Sequence, residues 1–127
     1  MLIEKAHDKI TKPVIGCALR VHGALGNGFP EVVYHRSLAH ELTKNRLAFQ
    51  HELHLSVFYD GVEVGARRVD FLVAGTVLVE LKATTELTPN HYAQIINYLK
   101  AYRLQVGLLI NFGQPSLVFK RFLKDYP

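Results

Sequence analysis

Two carboxylates and a lysine stand close together in one short stretch of this 127-residue chain. Residues 67–82 read RRVDFLVAGTVLVELK, two runs rich in β-branched residues on either side of a three-residue, glycine-containing loop. That pattern is typical of a β-hairpin, and its register places Asp70 opposite Glu80. Directly opposed residues have Cβ atoms about 4.5–5.5 Å apart, and Lys82 shares a face with Glu80 because side chains alternate along a strand. The spacing therefore predicts that Asp70, Glu80 and Lys82 converge.

Side chains of these types could hydrolyse a phosphodiester with the help of a metal ion. Two adjacent carboxylates repel each other unless positive charge lies between them, and carboxylate oxygens suit a hard divalent cation such as Mg²⁺. An adjacent ammonium can orient or deprotonate the attacking water and stabilise charge that develops on the phosphate. The alternative interpretation is a solvated sheet face on which Lys82 merely neutralises Glu80.

Composition restricts the kind of protein this can be. The length predicts one domain over residues 1–127, and 49% hydrophobic residues suffice for a real core. The single cysteine, Cys17, excludes an internal disulfide, and we expect it to be a small buried hydrophobe. With no apolar run near 20 residues, we expect a cytoplasmic protein without a membrane partner. The net charge of +4 favours an anionic partner such as nucleic acid.

Two helices are expected before the hairpin. The first begins near Thr11, after a short separate turn, because Pro13 interrupts an apolar pattern that runs to about Leu25. Pro30 opens the second, which covers residues 31–46. The glycines between these helices lack the spacing of a phosphate-binding loop, so they indicate helix termination.

The hairpin is expected to extend a meander that a third helix follows. Residues 49–59 read as a long strand, and Asp60-Gly61 after them is a strong turn signal. Thr88 and Pro89 mark the start of the third helix, residues 89–103. A buried strand, residues 106–112, comes next, and residues 117–124 form a final strand or an amphipathic tail. The stripe that we expect the third helix to bury comprises Tyr92, Ile95, Ile96 and Leu99.

This order of elements resembles the αβββαβ core of the PD-(D/E)XK nuclease superfamily, and residues 28–34, GFPEVVY, match the GxxExxY family within it. Further signatures are R-x-D ending at Asp70, E-L-K beginning at Glu80, Q-x-x-x-Y beginning at Gln94, and GLLINFG at residues 107–113. The resemblance covers nearly the whole chain. It implies an α/β (α+β) fold of the restriction-endonuclease type, with a mixed central sheet flanked by helices. The proline of the superfamily name is replaced by Val69.

The resemblance also implies roles for individual residues around a Mg²⁺ or Mn²⁺ ion. Lys82 would serve the attacking water. Gln94 and Tyr98 would lie beside the metal site and the substrate backbone, where an amide and a phenol can hydrogen-bond phosphate. The implied metal ligands are Asp70, Glu80, the backbone carbonyl of Leu81, and Glu31 from the second helix.

Other candidates have competing interpretations. Arg67 and Arg68 could contact phosphate, or could form ion pairs with Glu63 or Glu80. Tyr34 is a candidate for nucleic-acid contact, or a core residue with a hydrogen-bonded hydroxyl. Strand alternation places His51 and His54 on opposite faces, so no structural zinc site is expected there.

The function expected from these features is metal-dependent nuclease activity on DNA, in preference to RNA, acting on ends or single strands. The alternative is an inactive nucleic-acid-binding or homo-oligomeric module on the same fold. Intact Asp70, Glu80 and Lys82 favour activity, because an inert descendant has no physical reason to keep two carboxylates opposed. A homodimer or a partner protein could use the apolar segment at residues 117–123.

Overall fold

The computed structural model describes residues 3–126, and side chains from residue 7 onward. Three helices and five strands are found in that part of the chain, and none of its helices is both long and apolar enough to cross a membrane. The elements are α1 (Ile3–Leu25), α2 (Glu31–Lys44), β1 (Phe49–Tyr59), β2 (Val62–Val73), β3 (Val77–Lys82), α3 (Pro89–Tyr102), β4 (Val106–Asn111) and β5 (Val118–Leu123).

The five strands form one mixed sheet in the order β1-β2-β3-β4-β5. The first three are the expected antiparallel meander, β4 runs parallel to β3, and β5 runs antiparallel to β4. Parallel neighbours need a crossover connection, which α3 provides. The predicted restriction-endonuclease-like core is therefore confirmed, and the last apolar segment is a strand rather than a tail.

Helices cover both faces of this sheet. The α1 and α2 helices pack on one face, where the buried side chains of β3 include Val79 and Leu81. The α3 helix packs on the other face through Ile95 and Leu99, against Leu78 and Leu109. Every residue of β4 is buried, as expected for a strand that is covered on both sides.

The first helix corrects the expectation of a break at Pro13. It runs without interruption from Ile3, and Thr11 is buried in its interior instead of lying at its start. Proline removes one backbone donor from the helix. The apolar stripe on both sides of Pro13 still packs into the core, from Ile10 to Val14 and on to Cys17, which is buried as predicted. That packing keeps the helix continuous.

The third helix begins as predicted, with Thr88 at the N-cap and Pro89 at the first helical position. The backbone N–H of Thr88 donates to Nδ1 of His91 at 3.1 Å, which satisfies a donor at the helix start. Ile96 was expected in the buried stripe, but 39% of it is exposed. The helix turns Tyr98 inward instead, so the buried stripe is Ile95, Tyr98 and Leu99.

In the paired strands β1 and β2, the side chains that face a given helix layer change partway along each strand. On β2, Val69 packs with the α3 layer while Phe71, two residues later, packs with α1 and α2. Regular alternation would place both on one face. On the partner strand, Phe49 and Leu53 are divided in the same way, and Glu52 between them has a φ of +56°. A left-handed residue within a strand bends it locally, as a β-bulge does.

Candidate active site

The candidate site lies where β2 and β3 separate. Phe71 and Val79 form the last backbone pair on this side of the hairpin. Beyond it, carboxylates take over the hydrogen bonding. Oδ2 of Asp70 accepts the N–H of Leu81 at 2.8 Å, and Oε1 of Glu80 accepts the N–H of Asp70 at 3.1 Å. The predicted pairing thus brings Asp70 and Glu80 together, with each side chain bound to the opposite strand.

Both carboxyl groups are largely removed from water. Glu80 is 5% exposed, and the side chain of Asp70 is 16% exposed. Burial and the neighbouring Asp70 raise the pKa of Glu80 to about 9, and burial also raises the pKa of Asp70. Two buried carboxyl groups with raised pKa values fit a divalent cation, because such an ion supplies the positive charge that would let both ionise.

Lys82 lies at the end of β3, next to this pair. The Glu31 pKa is lowered chiefly by a hydrogen bond from His35, and further by the positive charge of Lys82. The same lysine charge acts against the upward shift at Glu80. Among the side chains that the structure describes, those of residues 7–126, none forms an ion pair with Lys82 at 4.0 Å or less. The Lys82 ammonium therefore acts electrostatically on the carboxyl groups of Glu31 and Glu80 without forming an ion pair with either.

The second helix supplies two groups to the same site. Nε2 of His35 lies 3.4 Å from Oε1 of Glu31 and 3.5 Å from Oδ2 of Asp70. Burial opposes protonation of His35, but the bond with Glu31 and the charge of Asp70 together raise its pKa. Potential ligand atoms of the three residues lie within 4.8 Å of one another. The sequence placed Glu31 here but missed His35, although i and i+4 positions share a helix face.

The third helix contributes the predicted glutamine and tyrosine from the opposite face of the sheet. Tyr98 is 8% exposed, and the side chain of Gln94 is close enough to act on the pKa of its hydroxyl, which it lowers. Burial raises the pKa of Tyr98, and the negative charge of Glu80 raises it further. The structure therefore places Gln94 and Tyr98 on the α3 side of the carboxylate pair.

The two predicted arginines are on the exposed part of β2 before Asp70. Arg67 donates to the carbonyl of Ala66 at 2.8 Å. Arg68 lies 3.8 Å from the carboxylate of Glu52, which is neither of the two partners, Glu63 and Glu80, that the ion-pair alternative named. Since this pair is solvent-exposed and long, it costs little to break. Both guanidinium groups therefore remain accessible to an anion.

Tyr34 has a packing role in this structure. It has no exposed surface, and its ring stacks on Phe112 at a centroid distance of 4.7 Å. Its hydroxyl donates to the carbonyl of Gly26 at 2.6 Å and accepts the N–H of Phe29 at 3.2 Å. A completely buried side chain cannot contact a bound strand, so the alternative of a core tyrosine replaces the nucleic-acid role. It holds the loop in front of Glu31.

The sequence also missed Asn111, which secures the chain just after Lys82. This buried side chain accepts the N–H groups of Thr84 and Gly113, each at 3.0 Å, and donates to the Thr84 carbonyl at 3.0 Å. A Cβ at Gly113 would clash with the backbone of Thr84. Glycine is therefore required at that close approach.

Comparison with known proteins identifies the superfamily and the fold. A model of the PD-(D/E)XK nuclease superfamily matches residues 8–122. The crystal structure of SSO0001 has a similar fold, with a TM-score of 0.60 at 15% sequence identity. The similarity covers 98% of this chain but 63% of that chain, so this protein spans less than two thirds of the other's length. No curated protein matches the sequence. Because the family model covers most of its length, the chain belongs to the PD-(D/E)XK nuclease superfamily.

Proposed function

We propose that this protein is a metal-dependent nuclease of the GxxExxY family that hydrolyses phosphodiester bonds of DNA. The observation that carries the proposal is the meeting of Asp70 and Glu80 at the end of the β2–β3 pairing, with Lys82 beside them. Two carboxyl groups at one point, one of them buried and the other largely so, cost stability through desolvation and mutual repulsion. Binding a cation is a function that accounts for that cost.

The ion-binding groups would be the carboxylates of Asp70 and Glu80, the backbone carbonyl of Leu81, and Glu31. All are oxygen donors, the kind that Mg²⁺ and Mn²⁺ prefer. When bound, such an ion supplies positive charge to the phosphate and acidifies water.

The protein's own groups would divide the remaining work. Lys82 orients the attacking water and stabilises negative charge on the phosphate. Gln94 and Tyr98 hydrogen-bond the substrate backbone beside the scissile bond. Arg67 and Arg68, exposed on β2, neutralise neighbouring phosphates.

The direct test is a calorimetric titration of Mn²⁺ into wild type, Asp70→Asn and Asp60→Asn. The last substitution makes the same chemical change at the exposed β1–β2 turn, where Asp60 has a φ of +53° that asparagine adopts readily. We expect saturable binding by wild type and Asp60→Asn, and none by Asp70→Asn. The proteins that bind Mn²⁺ should then cleave single- or double-stranded DNA in a screen that includes RNA.

A wild-type protein that binds no Mn²⁺, either alone or with DNA present, would contradict the proposal. The second condition matters because a substrate phosphate can complete a weak site. Retained DNA binding in that case would favour the inactive nucleic-acid-binding module. Cleavage of RNA alone would keep the reaction but change the substrate.

A further inference from the structure

A second group of potential metal ligands lies on the α2 side of the carboxylate site. It comprises His35, His51 and Glu52, whose ligand atoms all lie within 4.8 Å of one another. Nδ1 of His35 is 3.4 Å from Nε2 of His51. These three residues are called the His–His–Glu cluster below. His51 and Glu52 have no part in the nuclease site proposed above.

The spacing of the two imidazole nitrogens fits a shared ion. Two nitrogen ligands on a tetrahedral zinc ion, each at about 2.0–2.1 Å, are about 3.3–3.4 Å apart. The rings are also held in place. His51 stacks on the buried Phe71 at 4.2 Å with an interplanar angle of 7°, and the side chain of His35 is 13% exposed. Little side-chain entropy would therefore be lost on binding.

The third ligand is on the accessible side of the cluster. Glu52, whose side chain is 54% exposed, sits at the bend where β1 changes face, and its other neighbour is the weakly held Arg68. A surface cavity of about 170 Å³ is lined by Glu31, Val32, His35 and Glu52. It offers an entry path for an ion and room for water at the fourth position. Three protein ligands and one open position are common at zinc sites that are not purely structural.

We propose that the His–His–Glu cluster is a second metal site, which takes a borderline transition-metal ion of the zinc class. Imidazole nitrogen favours Zn²⁺, Cu²⁺ or Ni²⁺, whereas the all-oxygen carboxylate site favours Mg²⁺ or Mn²⁺. The two sites therefore select different ions. The second site does not depend on the proposed nuclease function, because its ligands hold an ion whether or not the carboxylate pair hydrolyses DNA.

His35 connects the two sites. A neutral imidazole offers one nitrogen to a metal and keeps a proton on the other. With Nδ1 on the ion, Nε2–H points to Glu31 and Asp70, which lie 3.4 and 3.5 Å away. A carboxylate that accepts the second N–H of a metal-bound histidine is the usual outer partner of such a ligand. The second ion would thus fix His35 against Asp70.

The test is a titration of Zn²⁺ by calorimetry, and of Co²⁺ by visible absorption, in the presence of excess Mg²⁺. The proteins are wild type, His51→Phe, Glu52→Gln, His54→Phe and Glu80→Gln, the last of which alters the carboxylate site through the residue that accepts the Asp70 N–H. His51→Phe keeps a ring that can stack on Phe71, and His54→Phe makes the same change at an exposed residue of β1 outside the cluster. Glu52→Gln alters an exposed side chain, so it reports on the site even if His51→Phe folds poorly.

We expect wild type, His54→Phe and Glu80→Gln each to bind one Zn²⁺. His51→Phe and Glu52→Gln each lose a ligand and should bind Zn²⁺ more weakly than wild type. Loss of an outer partner alone costs about 10–100-fold in metal affinity, so the loss of a ligand should cost at least as much. Nitrogen NMR shifts should show His35 ligated through Nδ1. Unchanged Zn²⁺ affinity in both cluster variants would overturn the proposal, leaving a histidine–histidine hydrogen bond. Loss of Zn²⁺ binding in Glu80→Gln would also overturn it by placing the ion at the carboxylate site. Failure of the nuclease proposal would appear instead in the separate Mn²⁺ titration.

Discussion

The side chains of Asp70 and Glu80 each hydrogen-bond to the backbone of the strand that carries the other. The Glu80 carboxylate accepts the backbone N–H of Asp70, and the Asp70 carboxylate accepts the backbone N–H of Leu81, the residue after Glu80. The two side chains continue the hydrogen bonding of the hairpin past its last backbone pair. This fixes both carboxyl groups before any ligand binds, which is the preorganisation that a metal site needs.

Replacing the Glu80 carboxyl group by an amide should stabilise the metal-free protein at high pH. Burial and Asp70 raise the Glu80 pKa from 4.5 to about 9, so the unfolded chain releases this proton at lower pH than the folded protein does. Folding stability therefore falls as pH rises through that interval. Glu80→Gln removes the titration while its amide oxygen can still accept the Asp70 N–H. In chelator, we expect its melting temperature to exceed that of wild type by a few degrees at pH 9, with the difference vanishing towards pH 4.

Thermal unfolding followed by circular dichroism between pH 4.5 and 9 checks this expectation. Glu63→Gln, at an exposed position near the end of the β1–β2 hairpin, is the matched control and should follow wild type. A Glu80→Gln advantage that stayed constant with pH would show that the buried carboxyl group is not the cause.

Two further variants, Lys82→Ala and Asp70→Asn, should distinguish the groups needed for cleavage from those needed for metal binding. Lys82→Ala is expected to lower the cleavage rate at least about 100-fold, the lower range for loss of a positioned acid–base group, while it still binds Mn²⁺. Asp70→Asn should lose both binding and cleavage. The measurement pairs Mn²⁺ calorimetry with a single-turnover cleavage assay. Lys100→Ala, an exposed lysine of α3, controls for the loss of one positive charge. Full cleavage by Lys82→Ala would exclude the assigned role of this lysine.

The sequence could predict the parts of this site that depend on local pattern. The three-residue turn sets the pairing that brings Asp70 to Glu80, and strand alternation places Lys82 two residues further on. The Thr88 cap likewise marks the start of α3. Each of these follows from residues within about ten positions of one another, where spacing alone determines geometry.

Alternation failed where the strand itself bends. It assumes that His51 shares a face with Leu53, but the left-handed conformation of Glu52 separates them and places His51 against Phe71. The approach of His35 to His51 then depends on how α2 packs across the sheet. A sequence pattern carries no direct signal for either effect, and this is why the His–His–Glu cluster could not be predicted.

Removing the buried hydroxyl of Tyr34 distinguishes a packing role of this residue from a role in substrate binding. Tyr34→Phe keeps the stack on Phe112 but leaves the Gly26 carbonyl and the Phe29 N–H without their partner. We expect a loss of about 1–3 kcal/mol in unfolding free energy and no change in DNA affinity. Urea unfolding and fluorescence anisotropy measure the two quantities. Tyr59→Phe, at a residue that is 75% exposed, is the control. Weaker DNA binding at unchanged stability would restore the substrate-binding role.

Binding of DNA should depend steeply on salt if the exposed arginines contact phosphates. Each neutralised phosphate releases counterions, so the logarithm of the affinity falls linearly with the logarithm of salt concentration. Arg67→Ala should weaken binding about equally for all sequences and reduce that slope by about one. Anisotropy titrations between about 50 and about 300 mM salt, in a Lys82→Ala background and with chelator to suppress cleavage, give the slope. The control is Arg103→Ala, because Arg103 lies over the ring of Tyr126 at the C-terminal end of α3. This variant should leave the slope unchanged. An affinity that did not vary with salt would show that phosphate contacts are not what holds the DNA.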